Sequence, residues 1–133
     1  MKKYNVAVVG ATGAVGEAMF DILNERQFPI DNIYALASEK SEGKKVMLGS
    51  KAITVSDLAN FDFSLADIAL FSAGGAISSE FAPKAGASDC VVIDNTSHFR
   101  YDNDIPLIVP EVNSCNIMEY KHRNIIANPN CST

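Results

Sequence analysis

Near its start this 133-residue chain contains the stretch Val6-Ala7-Val8-Val9-Gly10-Ala11-Thr12-Gly13-Ala14-Val15-Gly16, in which an apolar run meets three evenly spaced glycines. The run from Tyr4 to Val9 is nearly all apolar, which is typical of a strand buried on both faces of a parallel sheet. Residues 14–26 carry apolar side chains at helical spacing, so a helix is expected directly after the glycines. Its predicted buried face consists of Val15, Ala18, Met19, Ile22 and Leu23.

The rest of the chain continues this alternation of strands and helices. Further strands are predicted at residues 33–37, 52–55, 68–71, 90–93, 107–112 and 125–127. Further helices are predicted at residues 78–87, with Ser78 or Ser79 as N-cap, and at residues 113–120. The pattern predicts an α/β fold with a Rossmann-type, doubly wound and mostly parallel sheet, helices lying on both faces. Residues 1–133 are expected to form one dinucleotide-binding domain.

Composition excludes several classes of protein. With 47% hydrophobic and 20% charged residues the chain is typical of a globular protein, and its net charge of −5 argues against a nucleic-acid partner. No apolar run is long enough to span a membrane, and no secretory signal is recognisable. The three cysteines have unrelated spacings that suit neither disulfides nor a metal site, so a cytoplasmic location is expected.

The glycines Gly10, Gly13 and Gly16 have the spacing G-x-x-G-x-x-G between a predicted strand and a predicted helix. Such a turn lets the backbone approach a pyrophosphate, which the helix N-terminus binds through unpaired N–H groups. The spacing differs from the usual G-x-G-x-x-G, and a turn that only packs the helix is the alternative. The residues expected to bind the cofactor here are Gly10, Thr12, Gly13, Ala14, Val15 and Gly16.

The residues after the second predicted strand bear on the choice of cofactor. Ser38, Lys40 and Ser41 are suited to hold the 2′-phosphate of NADP by charge-assisted hydrogen bonds. Glu39 is instead suited to bind the ribose 2′-OH of NAD. We favour NADP, because two hydroxyls and an ammonium group occur together; a solvated charged loop is the remaining alternative.

The last residues of the sequence, Asn128-Pro129-Asn130-Cys131-Ser132-Thr133, predict a nucleophilic cysteine. A helix beginning near Cys131 would favour its thiolate, and the Asn130 amide is placed to donate to a developing oxyanion. Arg100 follows a predicted strand in a polar turn, and its forked guanidinium suits a phosphoryl group. Cys90 and Cys115 are expected to be structural instead, one in a core strand and one at a helix start.

Taken together, these segments resemble the N-terminal part of aspartate-semialdehyde dehydrogenase over essentially the whole chain. The most specific matches are Asp94-Asn95-Thr96-Ser97-His98-Phe99-Arg100, Val109-Pro110-Glu111-Val112-Asn113 and Asn128-Pro129-Asn130-Cys131. The glycine turn, residues 38–44 and residues 70–75 match as well.

The resemblance implies a reversible, NADP-dependent conversion of aspartate semialdehyde and phosphate to aspartyl phosphate, in the biosynthesis of lysine, threonine, methionine and diaminopimelate. Cys131 is then the nucleophile that forms a thioester, and Arg100 and Asn130 bind the phosphate. Ser72, Ala73, Gly74 and Asn95 match loops close to the cofactor. A small-molecule substrate and a homodimeric or homotetrameric parent protein are implied too.

The resemblance also implies functions that this chain lacks. The family's second domain carries the general base, the arginine for the substrate carboxylate and most of the dimer contact, and it is expected to be absent here. The chain alone is therefore expected to bind NADP weakly or not at all and to show little turnover. Two alternatives remain: N-acetyl-glutamyl-phosphate reductase, which usually has Asn-Pro-Gly-Cys at the nucleophile, and a nucleotide-binding module without catalysis.

Overall fold

The computed structural model describes residues 3–88, 90–94 and 125–127. Its strands are β1 (Tyr4–Val9), β2 (Ile30–Ala37), β3 (Lys45–Leu48), β4 (Lys51–Asp57), β5 (Ile68–Phe71), β6 (Val91–Asp94) and β7 (Ile125–Ala127). Its helices are α1 (Ala14–Glu25) and α2 (Gly75–Ala87). The strands form one seven-stranded sheet in the order β3-β4-β2-β1-β5-β6-β7. Every neighbouring pair is parallel except the antiparallel hairpin of β3 and β4.

The central strand β1 contributes to hydrophobic cores on both faces of the sheet. Ala7 and Val9 pack with the α2 residues Ala82 and Ala85, whereas Val8 packs with Phe20 of α1. Because successive strand residues point to opposite faces, the two helices lie on opposite sides of the sheet. This arrangement confirms the predicted Rossmann-type α/β fold. Within the described ranges, neither helix is long and apolar enough to cross a membrane.

The predicted buried face of α1 was partly wrong. Met19 and Leu23 are half-buried against the core as expected, but Val15 and Ile22 are 39% and 51% exposed. The residue that faces the sheet most closely is Phe20, which is 1% exposed. The buried stripe is therefore rotated, because Gly16 brings the first turn of α1 against the glycine turn and directs the side chain four residues later toward the sheet.

The start of α2 also differs from the prediction. The helix begins at Gly75 with Gly74 as N-cap, so neither Ser78 nor Ser79 caps it. Gly74 has φ +101°, a conformation that glycine adopts without strain and that turns the chain into the helix early. Asp57 caps the short 3₁₀ turn after β4 by accepting a hydrogen bond from the Ala59 N–H. The elements predicted at 107–112 and 113–120 lie outside the described residues.

Candidate functional site

A cleft of about 490 Å³ opens at the carboxyl ends of the parallel strands. The glycine turn after β1 contributes Gly10 and Thr12 to its lining, and the end of β2 contributes Ala37, Ser38 and Glu39. The chain places β2 on one side of β1 and β5 on the other, so the strand order reverses here. Ligands of open α/β sheets bind at such a switch point.

Gly10 shapes the turn at the end of β1. Its φ is +88°, and the N–H groups of Gly10 and Ala11 both donate to the Leu36 carbonyl, at 2.9 and 3.1 Å. A Cβ atom on Gly10 would lie 2.9 Å from the Ser72 Oγ and 3.0 Å from the Ala73 nitrogen. Glycine is required at this position by both the backbone conformation and the closeness of the β5 loop.

The other two glycines of the motif differ in what surrounds them. A Cβ on Gly16 would lie 2.2 Å from the Gly10 carbonyl oxygen, so α1 packs directly on the turn. Among the described residues, a Cβ on Gly13 would meet only that same oxygen, at an ordinary 3.5 Å, and the φ of Gly13 is −83°. The protein itself therefore does not require a glycine at position 13. The absence of a side chain there leaves the turn open to a ligand. An open turn of this kind can form a cradle for a pyrophosphate.

The N-terminus of α1 supplies hydrogen-bond donors to this cradle. Its N-cap, Gly13, makes no side-chain cap, and the first intrahelical bond runs from the Glu17 N–H to the Gly13 carbonyl at 2.9 Å. In the part of the chain that the structure describes, the N–H groups of Ala14, Val15 and Gly16 have no acceptor. An uncapped helix N-terminus of this kind binds anions.

The loop after β5 is joined to the end of β1. The backbone N–H and the hydroxyl of Ser72 both donate to the Val9 carbonyl, each at 3.0 Å. Ala73 lines the cleft, whereas Gly74 sets the start of α2, and no atom of the described residues lies within 4 Å of where its Cβ would be. The Ser72 hydroxyl proton is thus used within the protein, and of these three predicted residues Ala73 is the one at the cleft.

The residues predicted to select the cofactor lie on and beside a 3₁₀ turn, Glu39–Ser41. Ser38 and Glu39 line the cleft, but Lys40 and Ser41 do not. Two further carboxylates, from Asp57 and Glu80, line it as well. The structure thus brings one of the three predicted 2′-phosphate residues to the cleft, together with the Glu39 carboxylate that was predicted for NAD.

Sequence reasoning missed the apolar wall of the cleft. Leu58 and Ala59 come from the turn after β4, and Ile77 and Phe81 come from the first turns of α2. An apolar wall with few polar groups is suited to a flat organic ring such as a nucleotide base. The spacing of Ile77 and Phe81 is a helical signal, but the predicted helix began at residue 78 and left Ile77 in a loop.

Four predicted site residues, Asn95, Arg100, Asn130 and Cys131, lie outside the described residues, as does Cys115. Asp94 and Ala127, which end β6 and β7, are register partners in the parallel pair. Strands β6 and β7 therefore end at the same edge of the sheet as the cleft.

Cys90 is buried, as predicted for a structural cysteine. Burial, helped by the carboxylate of Asp67, raises the pKa of its thiol to about 12. A thiol with that pKa stays protonated near neutral pH and is a poor nucleophile. In the described ranges no group of His, Cys, Asp and Glu side chains could hold a metal ion.

A family model described as semialdehyde dehydrogenase, NAD binding domain, matches residues 5–120. The chain belongs to this semialdehyde dehydrogenase family. It is 60% identical to the aspartate-semialdehyde dehydrogenase of Legionella pneumophila over 129 residues, 97% of this chain and 37% of that protein. It is 58% identical to aspartate-semialdehyde dehydrogenase 2 of Vibrio cholerae over 132 residues, 99% of this chain and 39% of that protein.

A crystal structure agrees with this assignment to the semialdehyde dehydrogenases. Aspartate semialdehyde dehydrogenase II of Vibrio cholerae, complexed with ASA, matches with a TM-score of 0.95 at 58% identity, over 98% of this chain and 43% of that one. The resemblance to aspartate-semialdehyde dehydrogenase is confirmed, and these relatives favour it over the reductase alternative. The chain spans about two fifths of the length of the curated relatives it matches.

Proposed function

We propose that this chain is the dinucleotide-binding part of an NADP-dependent aspartate-semialdehyde dehydrogenase. The observation that carries the proposal is the open glycine turn with its uncapped helix N-terminus, at the strand switch point of a chain of this family. The family model names an NAD binding domain, which supports a dinucleotide cofactor. A cytoplasmic location and a role in the biosynthesis of lysine, threonine, methionine and diaminopimelate belong to the same proposal.

The residues of the cleft fit the parts of a dinucleotide. The N–H groups of residues 14–16 would hold the pyrophosphate, and the wall that includes Leu58 and Phe81 would contact the adenine base. Ser38 would bind the adenine ribose, and Lys40 and Ser41 would reach the 2′-phosphate from the adjoining turn. When bound, NADPH supplies the hydride equivalent that reduces the acyl carbon of the substrate.

The chemical step is assigned to Cys131. Its thiolate attacks the acyl carbon of aspartyl phosphate, a C–S bond forms, the bond from carbon to the phosphate oxygen breaks, and inorganic phosphate leaves. Arg100 binds the phosphoryl oxygens through its guanidinium fork, and Asn130 helps to hold the same phosphate. The Vibrio cholerae enzyme in complex with ASA supports a small-molecule substrate of this class.

The whole reaction requires groups that we do not assign to this chain. We propose that the general base, the arginine for the substrate carboxylate and most of the dimer contact belong to the remaining length of such enzymes, because the matched relatives are much longer than this chain. Residues 1–133 by themselves are then expected to show little or no turnover, and a homodimer or homotetramer is expected of the whole enzyme.

Titration of this chain with NADPH and with NADH, followed by nicotinamide fluorescence, tests the proposal. Gly13→Glu is the control, because among the described residues a Cβ at Gly13 makes only an ordinary 3.5 Å contact, and the added carboxylate would occupy the anion cradle. Any binding by this chain alone is expected to be weak, to prefer NADPH and to fall by a further factor of at least about ten in Gly13→Glu. Equal binding by wild type and Gly13→Glu would contradict the placement of the pyrophosphate.

A further inference from the structure

Ser78 and Asp94 form a buried polar pair that the proposed chemistry does not use. Both residues are 0% exposed, and the Ser78 hydroxyl donates to the Asp94 Oδ1 at 2.9 Å. They are the two polar residues buried in the described part of the chain, where no buried polar side-chain atom lacks a partner. A buried carboxyl or hydroxyl is tolerated when its hydrogen bonds are satisfied, and this bond satisfies the Ser78 donor.

The pair joins the cleft side of α2 to the sheet. Ser78 makes the first intrahelical bond of α2, from its N–H to the Gly74 carbonyl at 3.1 Å, while Asp94 is the last residue of β6. Asp94 is the register partner of Phe71, the residue that ends β5. The hydrogen bond therefore connects the first turn of α2 to the carboxyl edge of the sheet beside the switch point.

The neighbours of Ser78 on α2 line the cleft. Ile77 and Phe81, one residue before and three residues after it, line the cleft. On a helix, positions 77 and 81 share one side, which is adjacent to the side that carries Ser78, so one turn carries both the internal hydrogen bond and the apolar wall. The position of the wall relative to the glycine turn thus depends on where Ser78 is held.

We infer that Ser78 and Asp94 are positioning residues that hold the α2 wall of the cleft at the spacing a dinucleotide needs. Removal of the Ser78 hydroxyl takes away the side-chain hydrogen bond that joins the first turn of α2 to β6, so that turn is held less firmly against the sheet. The identity of the ligand in this inference rests on the proposed function. The placement of Ile77 and Phe81 depends only on the hydrogen bond between Ser78 and Asp94.

The test compares Ser78→Ala with two other substitutions in α2. Ala85→Gly is the matched control, because it destabilises the same helix through helix propensity and a lost buried methyl group, away from the cleft. Ser78→Thr keeps the hydroxyl and is the rescue. For each variant of the 133-residue chain, the thermal midpoint, the Kd for NADPH and amide hydrogen exchange are measured at a temperature where all variants are folded.

We expect Ser78→Ala to raise the Kd for NADPH about fivefold and to speed exchange selectively in the first turns of α2. Ala85→Gly should lower the thermal midpoint to a similar extent while its Kd stays within about twofold of wild type. Ser78→Thr should restore both the Kd and the exchange pattern.

Two results would overturn the inference: a Kd in Ser78→Ala that changes no more than in Ala85→Gly, or faster exchange spread evenly over both helices. If the wild-type chain alone binds no NADPH, the exchange pattern alone decides the positioning role. Faster exchange that is confined to the first turns of α2 and is reversed in Ser78→Thr would support the positioning role. Unchanged exchange, or faster exchange over the whole chain, would refute it.

Discussion

Gly16→Ala is the substitution for which the structure makes the sharpest prediction. The added Cβ would lie 2.2 Å from the Gly10 carbonyl oxygen and 3.0 Å from two further backbone atoms, the Ala11 Cα and the Gly10 carbonyl carbon. An ordinary carbon–oxygen contact is about 3.3 Å, so α1 and the turn must separate by about 1 Å. All three atoms belong to the backbone, and no side-chain rotation can relieve the contact.

The size of the effect follows from two opposing contributions. Overpacking of this kind costs about 1–3 kcal/mol, and the upper end applies because hydrogen bonds to the Leu36 carbonyl hold the turn at Gly10 and Ala11. Replacing a helical glycine by alanine returns about 1 kcal/mol through helix propensity. The net loss in the free energy of unfolding is therefore about 2 kcal/mol.

Urea unfolding followed by circular dichroism at the helix band measures this loss, since the chain has no tryptophan to report it. Gly13→Ala is the matched control, because its Cβ would meet only the Gly10 oxygen at 3.5 Å and its φ of −83° suits alanine. We expect Gly13→Ala to stay within about 0.5 kcal/mol of wild type. Equal stability of Gly16→Ala and wild type, or equal losses in the two variants, would refute the packing argument.

Two further predictions concern the buried thiol and the cofactor loop. Because burial raises the pKa of Cys90 from 9.0 to about 12, the stability that depends on its neutral thiol is complete below pH 9 and declines as the pH rises toward 12. Thermal midpoints of wild type should therefore fall more steeply above pH 9 than those of Cys90→Ala, and parallel curves would contradict this. Lys40→Ala should raise the Kd for NADPH about fivefold and leave that for NADH unchanged, since its ammonium is assigned to the 2′-phosphate. Fluorescence titrations with both nucleotides decide the point, and equal losses for the two would show that Lys40 acts elsewhere.

The strand and the glycine turn were predictable because each depends on local chemistry. The apolar run of β1 and the glycines after it fix a buried strand and a tight turn with little help from the rest of the chain. The helix face was less predictable, because Gly16 rotates α1 so that Phe20 is buried and Ile22 is exposed. That rotation depends on the contact between α1 and the glycine turn, and the helical periodicity of the sequence carries no information about this contact.

The parts of the candidate site that contain glycines or hydroxyl side chains were predictable from the sequence. Its apolar wall was not, because Leu58 and Phe81 are distant in sequence and meet only when β4 and α2 come to the same edge of the sheet. The early start of α2 was missed for a similar reason, since the positive φ of Gly74 belongs to the folded loop. The roles of Arg100, Asn130 and Cys131 remain predictions from the sequence.

The antiparallel hairpin bears on how the sheet ends. Strand β3 forms one edge of the sheet, and the ammonium group of Lys45 on it donates to the Thr54 hydroxyl of the neighbouring strand β4. An edge strand presents unpaired backbone groups to other chains, and a charged side chain there must lose its water before another strand can add. We therefore expect Lys45 to oppose edge-to-edge aggregation at the β3 side of the sheet.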